Sequence, residues 1–148
     1  MNLNMAKVIS INISDKKGVI KTPIKEGKFI EEHGLDNDAH AGKWHRQVSL
    51  LGMESIDKMI KMGVNDLTSG KFAENITTEG IVLYELPVGT RLKIGETIQE
   101  VTQIGKECHK GCAIKNQVGT CIMPTEGIFT RIIKGGVVKA GDSIEILS

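Results

Sequence analysis

The sequence predicts a mainly β fold: a single-domain barrel of short, mostly antiparallel strands with a few short helices, spanning residues 1–148. Three observations predict it. The 17 glycines are spread along the chain, which suits short strands joined by tight turns better than a helical bundle. Several segments alternate apolar and polar residues with period two. Only one segment has a clear helical period.

Taken in order, residues 1 to about 6 are expected to be loose. In "KVISINIS", Ile9, Ile11 and Ile13 alternate with Ser10, Asn12 and Ser14, the pattern of a half-buried strand. "DKKG" (Asp15 to Gly18) is a turn. "VIKTPI" is a return strand at a sheet edge, because Pro23 cannot donate to a ladder. "RQVSLLG" (Arg46 to Gly52) is a short apolar strand. "MESIDKMIKMG" then changes period. Met53, Ile56, Met59 and Ile60 fall at helical spacing, Asp57 can pair with Lys61, and Gly63 suits a helix C-cap. The predicted helix runs from about Met53 to Met62, and its methionine stripe is expected to pack in the core. "VGTRLKIGE" places Leu92 and Ile94 on one face. "AGDSIEIL" does the same with Ile144 and Ile146, and two similar strand entries fit a barrel closed from related hairpins, although seven residues are too few for a true repeat. "TEGIFTRIIKGG" fits one helical turn or a strand, and periodicity does not decide. No proline- or serine-rich linker marks a domain boundary.

Composition narrows the function classes. The chain is 40% hydrophobic and 25% charged, ordinary for a globular protein. A net charge of +1 supplies no strong field for nucleic acid or an anionic membrane. Aromatics at 3% argue against a base-stacking platform. No apolar run approaches the roughly 18 residues of a membrane span, and "MNLNMAKVISINIS" has no signal-peptide pattern. A cytoplasmic protein without nucleic-acid or membrane partners is expected.

All 3 cysteines fall in "GKECHKGCAIKNQVGTC" (Gly105 to Cys121), with His109 and three lysines. In a reducing compartment an odd number of thiols argues against disulfides. The spacing C-x3-C-x8-C lies outside the tight knuckle that structural zinc prefers, and the adjacent Cys108 and His109 would point to opposite faces of a strand. Cys121, between Thr120 and Ile122, fits a small buried hydrophobe. Cys112 differs. It follows Gly111, with Lys110 and Lys115 near, and cationic neighbours favour the thiolate, which is both nucleophile and soft metal ligand. It can also be capped as a persulfide. The other three histidines lie in "HGLDNDAHAGKWH" (His33 to His45), with the only tryptophan. Their spacing matches no common zinc pattern. The segment fits either a polar loop whose Asx side chains hold backbone amides or a substrate-binding loop on a β scaffold.

From about Val8 to Leu147 the sequence resembles the MOSC domain family, named for the C-terminal domain of molybdenum cofactor sulfurase, and is similar to its small stand-alone bacterial members. Gly34, Asp38 and His40 fit the family's glycine–aspartate–histidine loop, followed by "RQVSLL". Gly70, Phe72, Glu74 and Asn75 fit its G-x-F-x-E-N segment. "LPVGTRLKIG" and "GCAIKNQVGTCIMPTEGIFTRIIKGGVVKAGDSIEI" fit its later strands and cysteine-bearing segment. The resemblance implies a β-barrel-like fold and makes Cys112 the family cysteine. That cysteine is proposed to take sulfur as a persulfide from a pyridoxal-phosphate desulfurase, or in oxidoreductase relatives to ligate molybdenum in the pterin cofactor. These 148 residues contain neither a desulfurase domain nor the added β-barrel domain of larger relatives. A carrier or binding role is therefore expected ahead of autonomous catalysis.

The site candidates on these readings are Cys112 as catalytic residue and metal ligand, with Asp38, His40, Arg46, Glu74, Asn75 and Lys110 binding the cofactor. Glu74 and Asn75 are also candidates for loop support. The expected cofactor is molybdopterin, or a persulfide sulfur. The expected partners are a cysteine desulfurase and molybdenum cofactor biosynthesis or acceptor proteins. Two other readings stand beside this one: a stand-alone molybdoenzyme reducing N-hydroxylated compounds, and a non-catalytic module with structural, zinc-binding cysteines. The loop from Gly34 to His45 is expected to share one pocket with the Cys112 segment.

Overall fold

The first alternation forms strand β1 (Lys7–Ile13), but a register shift against its neighbour between Val8 and Ser10 changes which residues face inward. Val8 and Ile11 are fully buried, and Ile9 is only half-buried, because the bulge resets the two-residue period. The computed structural model describes residues 6–16, 19–61, 70, 72–105 and 123–147. The N-terminal segment expected to be loose, Gly63 and the cysteines therefore lie outside the described residues, apart from Ala6.

Ten further strands follow: β2 (Thr22–Ile24), β3 (Glu26–Ile30), β4 (Gly34–Leu35), β5 (Val48–Gly52), β6 (Ile76–Glu79), β7 (Arg91–Ile94), β8 (Thr97–Ile104), β9 (Ile128–Lys134), β10 (Gly136–Lys139) and β11 (Ile144–Ile146). Helix α1 (Met53–Lys61) follows β5 directly. Ile56 and Met59 bury its stripe, whereas Ile60 is largely exposed at the stripe's margin. The segment left open by periodicity is both things in turn. Met123–Glu126 forms the one-turn helix α2, and β9 then buries Ile128, Phe129, Thr130 and Ile132.

Eight strands form one sheet in the order β11-β7-β8-β9-β5-β6-β1-β2, and β10-β3-β4 form a second. Pro23 sits, as its missing N–H requires, on an edge strand of the large sheet. The pairings are antiparallel except β5–β6, which run parallel and are joined by a crossover through α1. One apolar core joins both sheets, with Phe29, Leu35 and Val138 from the smaller meeting Val8, Ile11, Leu50 and Ile76 from the larger.

The two similar strands, β7 and β11, are direct neighbours, with Ile144 opposite Ile94 and Ile146 opposite Leu92. The fold is mainly β, as expected, but the barrel expected to be closed or nearly closed is not closed among the described residues. The chain around β11 meets the start of β1, next to the far edge of the large sheet, at one isolated bridge, Lys7–Ser143. Three backbone bonds back it: the Val8 N–H to the Asp142 carbonyl at 2.8 Å, the Gly141 N–H to the Val8 carbonyl at 2.7 Å and the Ile144 N–H to the Ala6 carbonyl at 2.9 Å. β11 is three residues long and its inward face ends after Ile144, since Ile146 is 55% exposed. A strand that short and that shallow pairs in a ladder with β7 and makes only isolated bonds on its other side, such as the one from the Ile144 N–H to the Ala6 carbonyl.

Candidate functional site

The polar loop after β4 is organised from inside by Asp38. Its carboxylate accepts from the Lys21 ammonium at 2.8 Å, from the Ser14 N–H at 3.0 Å and from the His40 N–H at 3.0 Å. The His40 contact is the Asx turn that such a sequence favours. Both side chains of the Lys21–Asp38 pair are 0% exposed. Burial pushes the Asp38 carboxyl up, but the hydrogen bond and charge of Lys21 and the two N–H donors outweigh it and hold the group below the usual carboxylate range. His40 Nδ1 lies 3.8 Å from the same carboxylate. The Trp44 indole N–H donates to the His40 carbonyl at 2.7 Å, so the loop folds over its own buried charge.

Lys21 also explains the first glycine of the G-x-F-x-E-N segment. The Lys21 N–H donates to the Gly70 carbonyl at 2.9 Å. Gly70 has φ +88°, and a Cβ there would stand 2.3 Å from the Lys21 carbonyl oxygen. Only glycine allows both the left-handed backbone and that approach. Glu74 is fully buried and accepts from the N–H groups of Gly70 (3.0 Å) and Phe72 (3.2 Å) and from the Thr77 hydroxyl (2.8 Å). Burial raises its pKa above the ordinary value, against the opposing pull of these donors. Asn75 is equally buried. Its Oδ1 accepts from the Ser49 N–H at 3.0 Å, and its amide donates to the Asn12 carbonyl at 3.3 Å. Glu74 and Asn75 thus tie the segment to β1 and β5 from fully buried positions.

Above the loop, Lys43, Trp44, His45, Gln47, Glu32 and Arg131 line an open cleft of about 540 Å³. Arg131 is held by Glu32 at 3.0 Å and Glu100 at 2.8 Å. Gln47 is spent on the Ile132 N–H at 2.9 Å, so it shapes the floor. Arg46 lies over the Phe129 ring at 5.3 Å and donates from Nε to Gln103 Oε1 at 3.1 Å. His45 Nε2 shares that oxygen at 2.9 Å. Gln103 in turn donates to the Gly105 carbonyl at 2.8 Å. Gly105 is the last described residue before the cysteine-bearing segment.

The structure therefore brings Asp38, His40 and Arg46 to one loop and Glu74 and Asn75 to its buried underside. Cys112 and Lys110 lie outside the described residues. Among the described residues, no three His, Cys, Asp or Glu side chains converge as a metal site. No described helix is long and apolar enough to cross a membrane. Lys21 was missed by sequence reasoning. Its only signal is a lysine just before the edge-strand proline, which looks like an ordinary surface residue.

Comparison with known proteins gives a consistent picture. The family described as MOSC domain matches residues 37–145. The uncharacterized protein YflK of Bacillus subtilis is 23% identical, over all of this chain and 72% of its own length. Among solved structures, YuaD of Bacillus subtilis aligns with a TM-score of 0.73 at 20% identity, covering 96% of this chain and 95% of its own. YiiM of Geobacillus stearothermophilus aligns with a TM-score of 0.75 at 20% identity, covering 97% and 75%.

Proposed function

The chain belongs to the MOSC domain family, and on that premise we propose that it carries sulfur, or holds the molybdenum cofactor, on Cys112 in molybdenum cofactor metabolism. The observation that carries this reading is the relay Arg46–Gln103–Gly105. It links the end of the polar loop to the residue from which the cysteine segment departs. On this reading the cleft and the Cys112 thiol are parts of one site, and this relay is what supports it.

In the carrier step the Cys112 thiolate attacks the outer sulfur of a donor persulfide. The donor's S–S bond breaks, its inner sulfur leaves as a thiolate with the electron pair, and Cys112 becomes the persulfide. No external oxidant is needed. Lys110 and Lys115, near in sequence, favour the attacking thiolate. The donor class is a pyridoxal-phosphate-dependent cysteine desulfurase, and the acceptor is a protein that builds or uses the cofactor.

The cleft residues fit an anionic heteroaromatic cofactor. Lys43 is the cation for its phosphate, with Arg46 at the neighbouring loop end, and Trp44 is the aromatic wall. When bound, molybdopterin would supply the metal's redox chemistry, with Cys112 as soft ligand. Asp38 holds the loop and touches the ligand only through the backbone it orders. His40 shields the carboxylate.

The test is sulfur loading. The protein is incubated with a cysteine desulfurase and cysteine, trapped with an alkylating agent and mapped by mass spectrometry. A persulfide on Cys112, lost in Cys112→Ser with unchanged thermal melting, is the expected result. Sulfur on Cys108 or Cys121 only, or none at all, overturns the carrier reading. Stoichiometric molybdenum in protein from a cofactor-making host, without persulfide, would favour the molybdoenzyme reading.

A further inference from the structure

The cleft above the polar loop carries a second positive charge that the fold keeps covered. Arg131 on β9 and Lys43 in the loop both line it, together with Glu32. A guanidinium offers two forks of donors: a side-on pair, Nε with Nη2, and an end-on pair, Nη1 with Nη2. In Arg131 the two forks have different owners.

The side-on fork belongs to Glu100. Its Oε1 accepts from Nε at 2.9 Å and lies 2.8 Å from Nη2, the distances of charge-assisted bonds. Glu100 stands directly opposite Arg131 in the β8–β9 ladder, so the strand pairing itself holds the two together. Its side chain is only 21% exposed, and it is not part of the cleft lining.

The end-on fork is held differently. Glu32 places both carboxylate oxygens on one nitrogen, Nη1, at 3.0 and 3.1 Å. These contacts are longer than those of Glu100, and they are not the parallel two-nitrogen arrangement that makes arginine–carboxylate pairs strong. Glu32 comes from the turn between β3 and β4, where its backbone is left-handed, with φ +53°. A residue with a Cβ is strained there. Its side chain is 48% exposed, so the carboxylate can turn into water and keep its hydration. An ion pair that exposed contributes little to stability.

We infer that Arg131 is the second anion-binding residue of the cleft, and that Glu32 is a stand-in ligand that yields the end-on fork to a phosphate monoester. This deepens the reading of the cleft as the site of an anionic cofactor and rests on it. A phosphoryl group spans Nη1 and Nη2 at once, which Glu32 does not, and Glu100 keeps the guanidinium aimed meanwhile. Turning Glu32 away leaves the lining with two cations, Lys43 and Arg131, and no carboxylate. A neutral ligand cannot replace the carboxylate, so the exchange selects for oxyanions.

The test titrates phenyl phosphate into the full chain at constant ionic strength. Binding is read from the indole N–H NMR signal of Trp44, which lines the cleft. The expected result is saturable binding that tightens about three- to tenfold in Glu32→Gln, where the competing ion pair and its charge are gone. Two charge-conserving variants separate the fork from the general field. Arg131→Lys keeps the positive charge without a fork and should weaken binding by about tenfold. Glu32→Asp keeps the negative charge but falls one methylene short of Nη1, and should tighten binding by less than Glu32→Gln does. Phenol, which is neutral, should bind all of these proteins alike. The Glu32 variants alter only an exposed pair, so they decide the matter even where Arg131→Lys melts early. Native affinity in both charge-conserving variants, or no gain in Glu32→Gln, overturns the inference. If Lys43→Gln weakens phenyl phosphate while the Glu32 and Arg131 variants match the native protein, the cleft remains an anion site and only the role of Arg131 falls. No saturable shift in any of these proteins overturns both.

Discussion

Replacing Lys21 with methionine should be among the most damaging single changes available in this protein. The side chain keeps its length but loses the charge, leaving Asp38 ionised, 0% exposed and without its ammonium partner. The Ser14 and His40 N–H groups remain, each at 3.0 Å, but neither carries a charge. Breaking one side of a buried pair costs about 3–5 kcal/mol. For a chain of this size that is a fall of about 6–20 °C in melting temperature, at about 2–4 °C per kcal/mol. The double variant Lys21→Met/Asp38→Asn removes the stranded charge and should recover about 1–3 kcal/mol of the loss. The pH dependence separates charge from packing. In the native protein the folded Asp38 pKa is depressed, so its contribution is present above the unfolded value of about 3.9 and is lost as pH falls through the folded value. Without Lys21, burial dominates and the folded pKa rises above about 3.9. The penalty then grows as pH rises and fades in acid. Urea unfolding at about pH 7 and about pH 4.5 should therefore show the gap between native and variant protein narrowing in acid. Trp44, the only tryptophan, reports it by fluorescence, since its indole is bonded within the loop. A loss below about 1 kcal/mol, a gap independent of pH, or a double variant as unstable as the single one would refute this account.

Glu74→Gln turns one carboxylate oxygen into an amide donor facing a backbone N–H, a cost of about 1–3 kcal/mol. Because the folded Glu74 pKa is raised, its contribution is full below the unfolded value of about 4.3 and declines as pH rises through the folded value. The cost measured by denaturation should accordingly be larger near pH 4 than at neutrality. Gly70→Ala should destabilise by about 3 kcal/mol or more, since the added methyl meets backbone and cannot be accommodated by side-chain movement. A thermal melt of the variant checks this. Gln103→Leu breaks the link between Arg46, His45 and Gly105. It should slow persulfide loading of Cys112 while shifting stability by only about 1–2 kcal/mol, which paired loading and melting measurements distinguish.

Much of the fold was legible because it follows from local periodicity. Leu92 and Ile94 are buried and Lys93 is exposed, as the alternation in "TRLKI" requires. The edge position of β2 follows from Pro23, and the start and length of α1 follow from its helical stripe. The bulge after Val8 was not legible, because a two-residue period says which residues share a face but not where the partner strand slips. Nor was the lack of a closing ladder among the described residues, which depends on how many residues β11 and β1 can pair in space.

The candidate site divides in the same way. Asp38 and His40 could be picked out as a polar turn, and Glu74 with Asn75 as a motif, because residue type and order carry those signals. Lys21 could not. Its meaning comes from contacts with Asp38, seventeen residues away, and with the backbone of Gly70. Asn75 likewise acts on Asn12 across 63 positions. A lysine is ordinarily a solvated surface residue, and only a tertiary fold that removes water from around it makes its charge indispensable. The same holds for the Thr78 hydroxyl. In the sequence it is one threonine of an ordinary strand. Only the parallel pairing of β5 with β6 sets it opposite Gly52, buried and without a hydrogen-bond partner among the described residues. The amino-acid order determined which segments could become strand, helix and turn. Which polar groups lost their water, and which partners replaced it, was decided by the three-dimensional packing of residues distant in the chain.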